Sequence, residues 1–234
     1  MFIKSFKQVT EEGYVSGGFL YPASDNYDNP PASFENMPES GQIQLISRSE
    51  HLPTSSAAYL KQIHSSIVLE TNSGGFKGDG DGLFSRLSNI ILTIRVADCI
   101  PILIFSRSQP FIAAIHSGWR GLYHRILQTL ANNIQPDESF TFVLGPHLKK
   151  CHFEVTSEFL NYFEDKYFQS IDNKIFFDST RVVKDQILDF FGPQVNIIDF
   201  SSCTFCDART YSYRRDKTNK RQIAYIVFHK KEGE

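Results

Sequence analysis

The chain is short of the features that would place it by composition alone, and each shortage excludes something. It carries 24 Lys and Arg against 26 Asp and Glu, a net charge of −2 over 234 residues. So even a balance supplies no electrostatic footprint for nucleic acid or an anionic membrane surface. No apolar run approaches the roughly 20 residues of a membrane-spanning helix. The opening residues, Met1-Phe-Ile-Lys-Ser-Phe-Lys7, lack the apolar stretch and small-residue cleavage site of a secretion signal, so the expected location is cytoplasmic. The four cysteines, in a reducing compartment, read as thiols or metal ligands rather than as a disulfide framework. Seven histidines are too few for a multicopper electron relay. With no internal repeat, linker or break in composition, one α/β domain over residues 1–234 is expected, long enough to bury a substantial core.

What the chain does have is concentrated in residues 92–121. An apolar run, Leu92 to Phe105, a polar turn at Ser106–Pro110 and a second run, Phe111 to Ile115, read as two adjacent buried strands. Asp98-Cys99 is embedded in the first run. The second ends in His116, followed by the glycine-flanked Trp119-Arg120. A thiol and an imidazole on neighbouring strands can meet, which suits either a metal site or a nucleophilic Cys–His pair.

Residues 1–20 read as a strand broken at Gly17-Gly18, 21–41 as a polar surface loop, and Ile43–Ser47 as a short strand. Pro53-Thr-Ser-Ser56 looks like a helix cap, Ile67–Leu69 a strand with His64 at its entry, and the Gly-rich 72–82 a loop without the spacing of a calcium site. Helical spacing covers 121–134 to Pro136, 156–169 and 179–191; Phe140–Leu144, Val195–Phe200 and Ile223–Phe228 read as strands. Gly118 and Gly121 turn the chain into the first of these helices, whose N-terminus beside Arg120 would favour an anion such as phosphate.

His64, Cys99 and His116 together offer two imidazoles and a thiolate. Such a set suits zinc with a fourth position left for water or substrate, and copper is the competing ion. Trp119 could stack a base or serve the core. Cys203-Thr-Phe-Cys206 is the only C-x-x-C and, with no second local pair, reads as structural bystander; Cys151-His152 reads as surface loop and Arg214-Arg215 as salt-bridged.

The segments Lys61-Gln-Ile-His64, Gly80-Asp81-Gly82, Ala97-Asp-Cys-Ile-Pro101, His116-Ser-Gly-Trp-Arg-Gly121, Gly145-Pro146 to Cys151-His-Phe-Glu-Val155, and Ser212-Tyr-Arg-Arg215 to Arg221-Gln222 follow the order seen in the YfiH-like family. That family is also known as the polyphenol oxidoreductase laccase or purine nucleoside phosphorylase family. The resemblance covers about residues 57–228; residues 1–56 diverge, and Lys220 stands where the family has Gly. It implies a mixed α/β fold of layered sheets and helices, related to cysteine hydrolases, and a metal site on His64, Cys99 and His116. It also implies phosphorolysis of adenosine, inosine, guanosine and methylthioadenosine, with deamination of adenosine. Asp98 or Asp81 would move protons and Arg120 would hold phosphate. The expected partners are small molecules, a purine nucleoside and phosphate, in a monomer or weak homo-oligomer. Editing of peptidoglycan precursors by Cys99 and His116, and copper-dependent phenol oxidation, are the family's other associated chemistries.

Overall fold

A computed structural model describes residues 2–21, 39–134 and 139–231. Its strands are β1 (Phe2–Val9), β2 (Gly13–Tyr21), β3 (Ala57–Lys61), β4 (Val68–Glu70), β5 (Gly75–Asp79), β6 (Gly82–Ser85), β7 (Ile91–Val96), β8 (Ile100–Ser106), β9 (Ile112–Ser117), β10 (Phe140–Leu144), β11 (Glu154–Val155), β12 (Phe168–Ile171), β13 (Lys174–Phe177), β14 (Asn196–Asp199) and β15 (Gln222–Lys230). The helices are α1 (Glu39–Ser49), α2 (Trp119–Tyr123), α3 (Ile126–Ala131), α4 (Ser179–Phe191) and α5 (Tyr213–Asp216). One six-stranded mixed sheet runs β1-β2-β15-β7-β3-β5, a second runs β14-β10-β8-β9-β6-β4, and β11-β13-β12 form a small third sheet.

The layering follows from alternation along the strands, because successive side chains point to opposite faces. In β8, Leu103 and Phe105 join Phe19, Leu92, Ile94 and Ile226 in a core between the two large sheets. Ile100, Ile102 and Ile104 point the other way, into a core closed by Ile126, Leu127 and Leu130 of α3 and Val182, Val183 and Ile187 of α4. On the outer face of the first sheet, Ile91, Ile223 and Val227 meet Ile43 and Ile46 of α1. The order is therefore helix, sheet, sheet, helix. A strand covered on both faces has no polar side to show, which is why β8 reads as an unbroken apolar run.

Several sequence expectations hold here: β10, α4, β14 and β15 fall where the pattern placed them, and β8 and β9 pair antiparallel. Others are corrected. The run 92–105 is two strands in different sheets, stepping from β7 to β8 at Ala97–Cys99. Gly17-Gly18 lies inside β2; a Cβ at Gly17 would stand 2.8 Å from the Phe6 ring, so the glycine makes room rather than a turn. Ile43–Ser47 is helical, its Ile43 and Ile46 falling one turn apart on the buried face of α1. The segment 121–134 holds two short helices, with Arg125 left-handed (φ 54°) between them. Residues 156–169 form single turns and the start of β12, since Phe159 and Phe163 pack with Phe168 and Phe177 as an aromatic cluster whose spacing mimics a helix. Pro53–Ser56 leads only into a three-residue turn. Most of the 21–41 loop, and Pro136, lie outside the described residues. No helix among the described residues is long and apolar enough to cross a membrane.

Glu50 pins α1 to the first sheet. Its carboxylate accepts from Ser16 Oγ (2.5 Å), Tyr225 Oη (2.9 Å) and His229 Nε2 (3.1 Å). Burial opposes the charge, but these donors outweigh it and hold the carboxyl below its ordinary range. A folded-state pKa that is depressed adds stability above the unfolded value and loses it as pH falls through the folded one. Glu50→Gln should therefore cost on the order of 2 kcal/mol near neutrality. The gap to the parent, read from urea midpoints, should close in acid.

Candidate functional site

The site forms where one end of the two large sheets meets. Past β3 the chain turns through residues 62–65, and Asp81, fully buried between β5 and β6, receives that turn. Its carboxylate accepts the N–H groups of Ile63 (3.3 Å), His64 (3.0 Å) and Ser65 (2.6 Å) and the Ser65 hydroxyl (2.7 Å). The same group binds His116 Nδ1 at 2.7 Å. One carboxylate thus positions both histidines, including the left-handed backbone of His64 (φ 58°).

The thiol arrives from the other side. The β8–β9 register pairs Ile100 with Ser117 and Pro101 with His116, leaving Cys99 beside the imidazole. The turn before it has Asp98 at φ 84°. Asp98 is held by Thr204 Oγ1 (2.6 Å), Ser212 Oγ (2.7 Å) and the Arg214 N–H (2.6 Å). Its C=O accepts the Leu148 N–H at 2.9 Å. Gly118 completes the fit, since a Cβ there would lie 3.0 Å from Cys99 Sγ and 3.3 Å from His64 Cδ2.

The ligand atoms of His64, Cys99 and His116 all lie within 4.8 Å of one another. Burial disfavours a charged thiol, but His116 and His64 outweigh it and bring Cys99 down to about 6. Burial likewise opposes a charged imidazole, yet Cys99 and Asp81 raise His116 to about 9. Asp81 falls to about 2, its burial overcome by His116 and Ser65. Each group thus favours the charged form of the other. These residues fit a borderline-soft cation: the donor set is two imidazoles and a ready thiolate, and the carboxylate on His116 Nδ1 leaves Nε2 for the ion, as behind metal-bound histidines generally.

The triad opens on a cavity of about 730 Å³ lined by Gln62, Arg95, Trp119, Phe159, Arg214 and Arg221, among others. Of the residues singled out from sequence, His64, Cys99, His116 and Asp81 converge. Asp98 is adjacent, with both oxygens engaged. Trp119 lines the wall, packed on Phe159 and Tyr162 with ring centroids 5.0 and 5.2 Å away. Arg120 does not reach the cavity lining; it is exposed, its guanidinium 4.7 Å from the Trp119 ring. The helix expected to offer its N-terminus to an anion is five residues long and supplies little dipole. The cations that do line the cavity, Arg95, Arg214, Lys217 and Arg221, were not assigned to a site from sequence. Only half of the Arg214-Arg215 expectation holds. Arg215 pairs with Asp216, whereas Arg214 binds the carbonyls of His152 and Glu154 at the cavity wall. Cys151, His152, Cys203 and Cys206, read as loop and bystander, come together with ligand atoms within 4.8 Å of one another.

Gly118→Ala tests the close approach at the triad. The backbone there (φ −79°) suits any residue, so stability should change by less than about 1 kcal/mol. Metal affinity, measured by chelator competition, should fall about tenfold or more. Asp81→Asn should weaken metal binding similarly and also lower stability. Because Asp81 titrates near 2 in the fold, its stabilising effect should be complete above the ordinary carboxylate range and vanish between about pH 4 and 2.

Comparison with known proteins agrees with this architecture. Residues 40–229 match the family described as "Multi-copper polyphenol oxidoreductase laccase". A purine nucleoside phosphorylase of Aquifex aeolicus is 32% identical over 151 residues, 64% of this chain and 71% of that protein. One of Borreliella burgdorferi is 31% identical over 171 residues, 67% and 73% of the two chains. Purine nucleoside phosphorylase YfiH of Escherichia coli is 27% identical over 226 residues, 90% and 89%. The crystal structure of YlmD from Geobacillus stearothermophilus superposes with a TM-score of 0.77 at 18% identity, covering 96% of this chain and 99% of that one. With its mixed, helix-flanked sheets and the match over most of its length, the chain belongs to the YfiH-like, polyphenol oxidoreductase laccase family.

Proposed function

We propose that the protein is a metal-dependent purine nucleoside enzyme, which phosphorolyses adenosine, inosine, guanosine and methylthioadenosine and deaminates adenosine. The observation that carries this reading is the His64–Cys99–His116 donor set opening on a cavity with one aromatic wall and one cationic wall. The names of the relatives point the same way. The volume of about 730 Å³ lies within the range of small-molecule sites. Trp119 and Phe159 suit a purine, and Arg95, Lys217 and Arg221 suit phosphate better than Arg120 does.

Zinc held by the triad, with copper the competing ion, would supply Lewis-acid polarisation and charge stabilisation. The chain's own part is positioning. In phosphorolysis a phosphate oxygen bonds to C1′ as the bond to the purine breaks and the purine takes up a proton; in deamination water adds at C6 and ammonia leaves. Asp81, saturated by donors and titrating near 2, orients His64 and His116 rather than carrying that proton. Asp98 fixes the Cys99 turn in the same way.

A second reading is favoured by the thiol itself. A Cys99–His116–Asp81 line in which His116 favours the thiolate also suits nucleophilic attack on an amide, such as one in a peptidoglycan precursor. Chromatography of adenosine and inosine incubated with the protein, with and without phosphate, separates the two. Free base formed only with phosphate, or inosine formed from adenosine without it, should disappear in Cys99→Ala and after chelation. A protein that retains metal yet turns over neither nucleoside overturns the first reading. Amide cleavage that survives chelation but is abolished by alkylation would establish the second.

A further inference from the structure

Two chain segments that flank the cavity meet at its rim. One follows β10 and carries Cys151 and His152; the other follows β14 and carries Cys203 and Cys206. A bridge pairs His147 with Cys203. Around it, the His147 N–H donates to the Ser202 C=O at 3.1 Å and the Thr204 N–H to the His147 C=O at 3.0 Å. This pairing draws three thiols and one imidazole from far apart in sequence onto one point.

The spacing is that of a tetrahedral ion. Zinc bonds of about 2.3 Å to sulfur and about 2.0–2.1 Å to nitrogen set edges of about 3.8 Å between sulfurs and about 3.6 Å from sulfur to nitrogen. Here Cys151 Sγ and Cys206 Sγ are 3.9 Å apart. His152 Nδ1 lies 3.3 Å from Cys151 Sγ, 3.3 Å from Cys206 Sγ and 4.0 Å from Cys203 Sγ. The supporting groups match as well. The His152 ring is stacked on Phe205 (centroids 4.1 Å, 15°), so Nδ1 faces the thiols. Arg214 and Arg215 bind carbonyls of the two segments, bringing positive charge to a centre that three thiolates and a dication would leave at −1.

We infer that Cys151, His152, Cys203 and Cys206 form a structural zinc site, separate from the His64–Cys99–His116 triad. All four tetrahedral positions are filled by protein, so it has no open position for substrate. Binding replaces three S–H bonds with three S–Zn bonds and releases three protons to solvent, with no change in oxidation state. The site ties down the cavity wall. Phe153, Glu154 and Val155 follow His152 directly in the lining, while Thr204, between the two cysteines, holds Asp98 next to Cys99.

Element-resolved metal analysis of the full chain, purified with reductant, tests this in three forms. The parent should hold one zinc more than Cys203→Ser/Cys206→Ser, and Cys99→Ala should keep that zinc. After exchange for cobalt(II), Cys99→Ala should retain the strong thiolate-to-cobalt absorption of three sulfurs, and the double variant should lose it. Zinc content unchanged in the double variant, no metal in Cys99→Ala, or copper in place of zinc would overturn the assignment. Should the double variant fail to fold, thiol titration of Cys99→Ala decides. Three thiols should be protected until a chelator is added and reactive afterwards. Equal reactivity before and after, or a disulfide among Cys151, Cys203 and Cys206, would overturn it.

Discussion

The candidate site of this molecule depends on one buried carboxylate. Asp81 accepts hydrogen bonds from the N–H groups of Ile63, His64 and Ser65, from the Ser65 hydroxyl and from His116 Nδ1. Burying an isolated charge costs several kcal/mol, and this density of donors is what makes the burial tolerable. In return it holds His64 in a left-handed conformation that costs roughly 1–2 kcal/mol in an L-residue. It also fixes which nitrogen of His116 faces the thiol. A hydrophobic group of the same size could fill the space but could do none of this.

The sheets supply the second half of the arrangement. His64 follows a strand of one large sheet, His116 belongs to the other, and Cys99 lies in the step between them. The triad is thus assembled from groups whose separation is set by the packing of two sheets through one core, with Phe19, Leu103, Phe105 and Ile226 between them. Rigid elements hold the triad, while the loops after β10 and β14 build the walls. Precision and adaptability are divided between strand ends and connections, as in many enzymes.

How far this could be read from sequence follows the range of the forces involved. Strands buried on both faces announce themselves as apolar runs, so β8, β9, β10 and β15 were legible, as was the helical spacing of α4. His64, Cys99 and His116 were legible as an unusual set of residue types at strand ends. What local pattern could not show is which strands share a sheet. The break between β7 and β8 is hidden because both are apolar. Glycines in β2 read as a turn because room for Phe6 is a tertiary matter. The cationic wall and the Cys151–His152–Cys203–Cys206 cluster were missed for the same reason: each draws its members from segments joined only by the fold. Asp81 lay in a stretch that looked like a flexible glycine loop, and its role follows from burial, which spacing does not reveal.

The step from β7 to β8 has a consequence for how such a chain can vary. Only Ala97, Asp98 and Cys99 separate the two strands, and β8 serves two cores with alternate residues. One residue inserted there would reverse the parity of everything downstream in that strand, exchanging the isoleucines of one core for the Leu103 and Phe105 of the other. The thiol would shift with it. Insertions and deletions in descendants of this chain are thus barred from this junction and left to connections such as the Ser106–Pro110 turn. The chemistry is protected from drift in chain length because it shares its frame with the packing.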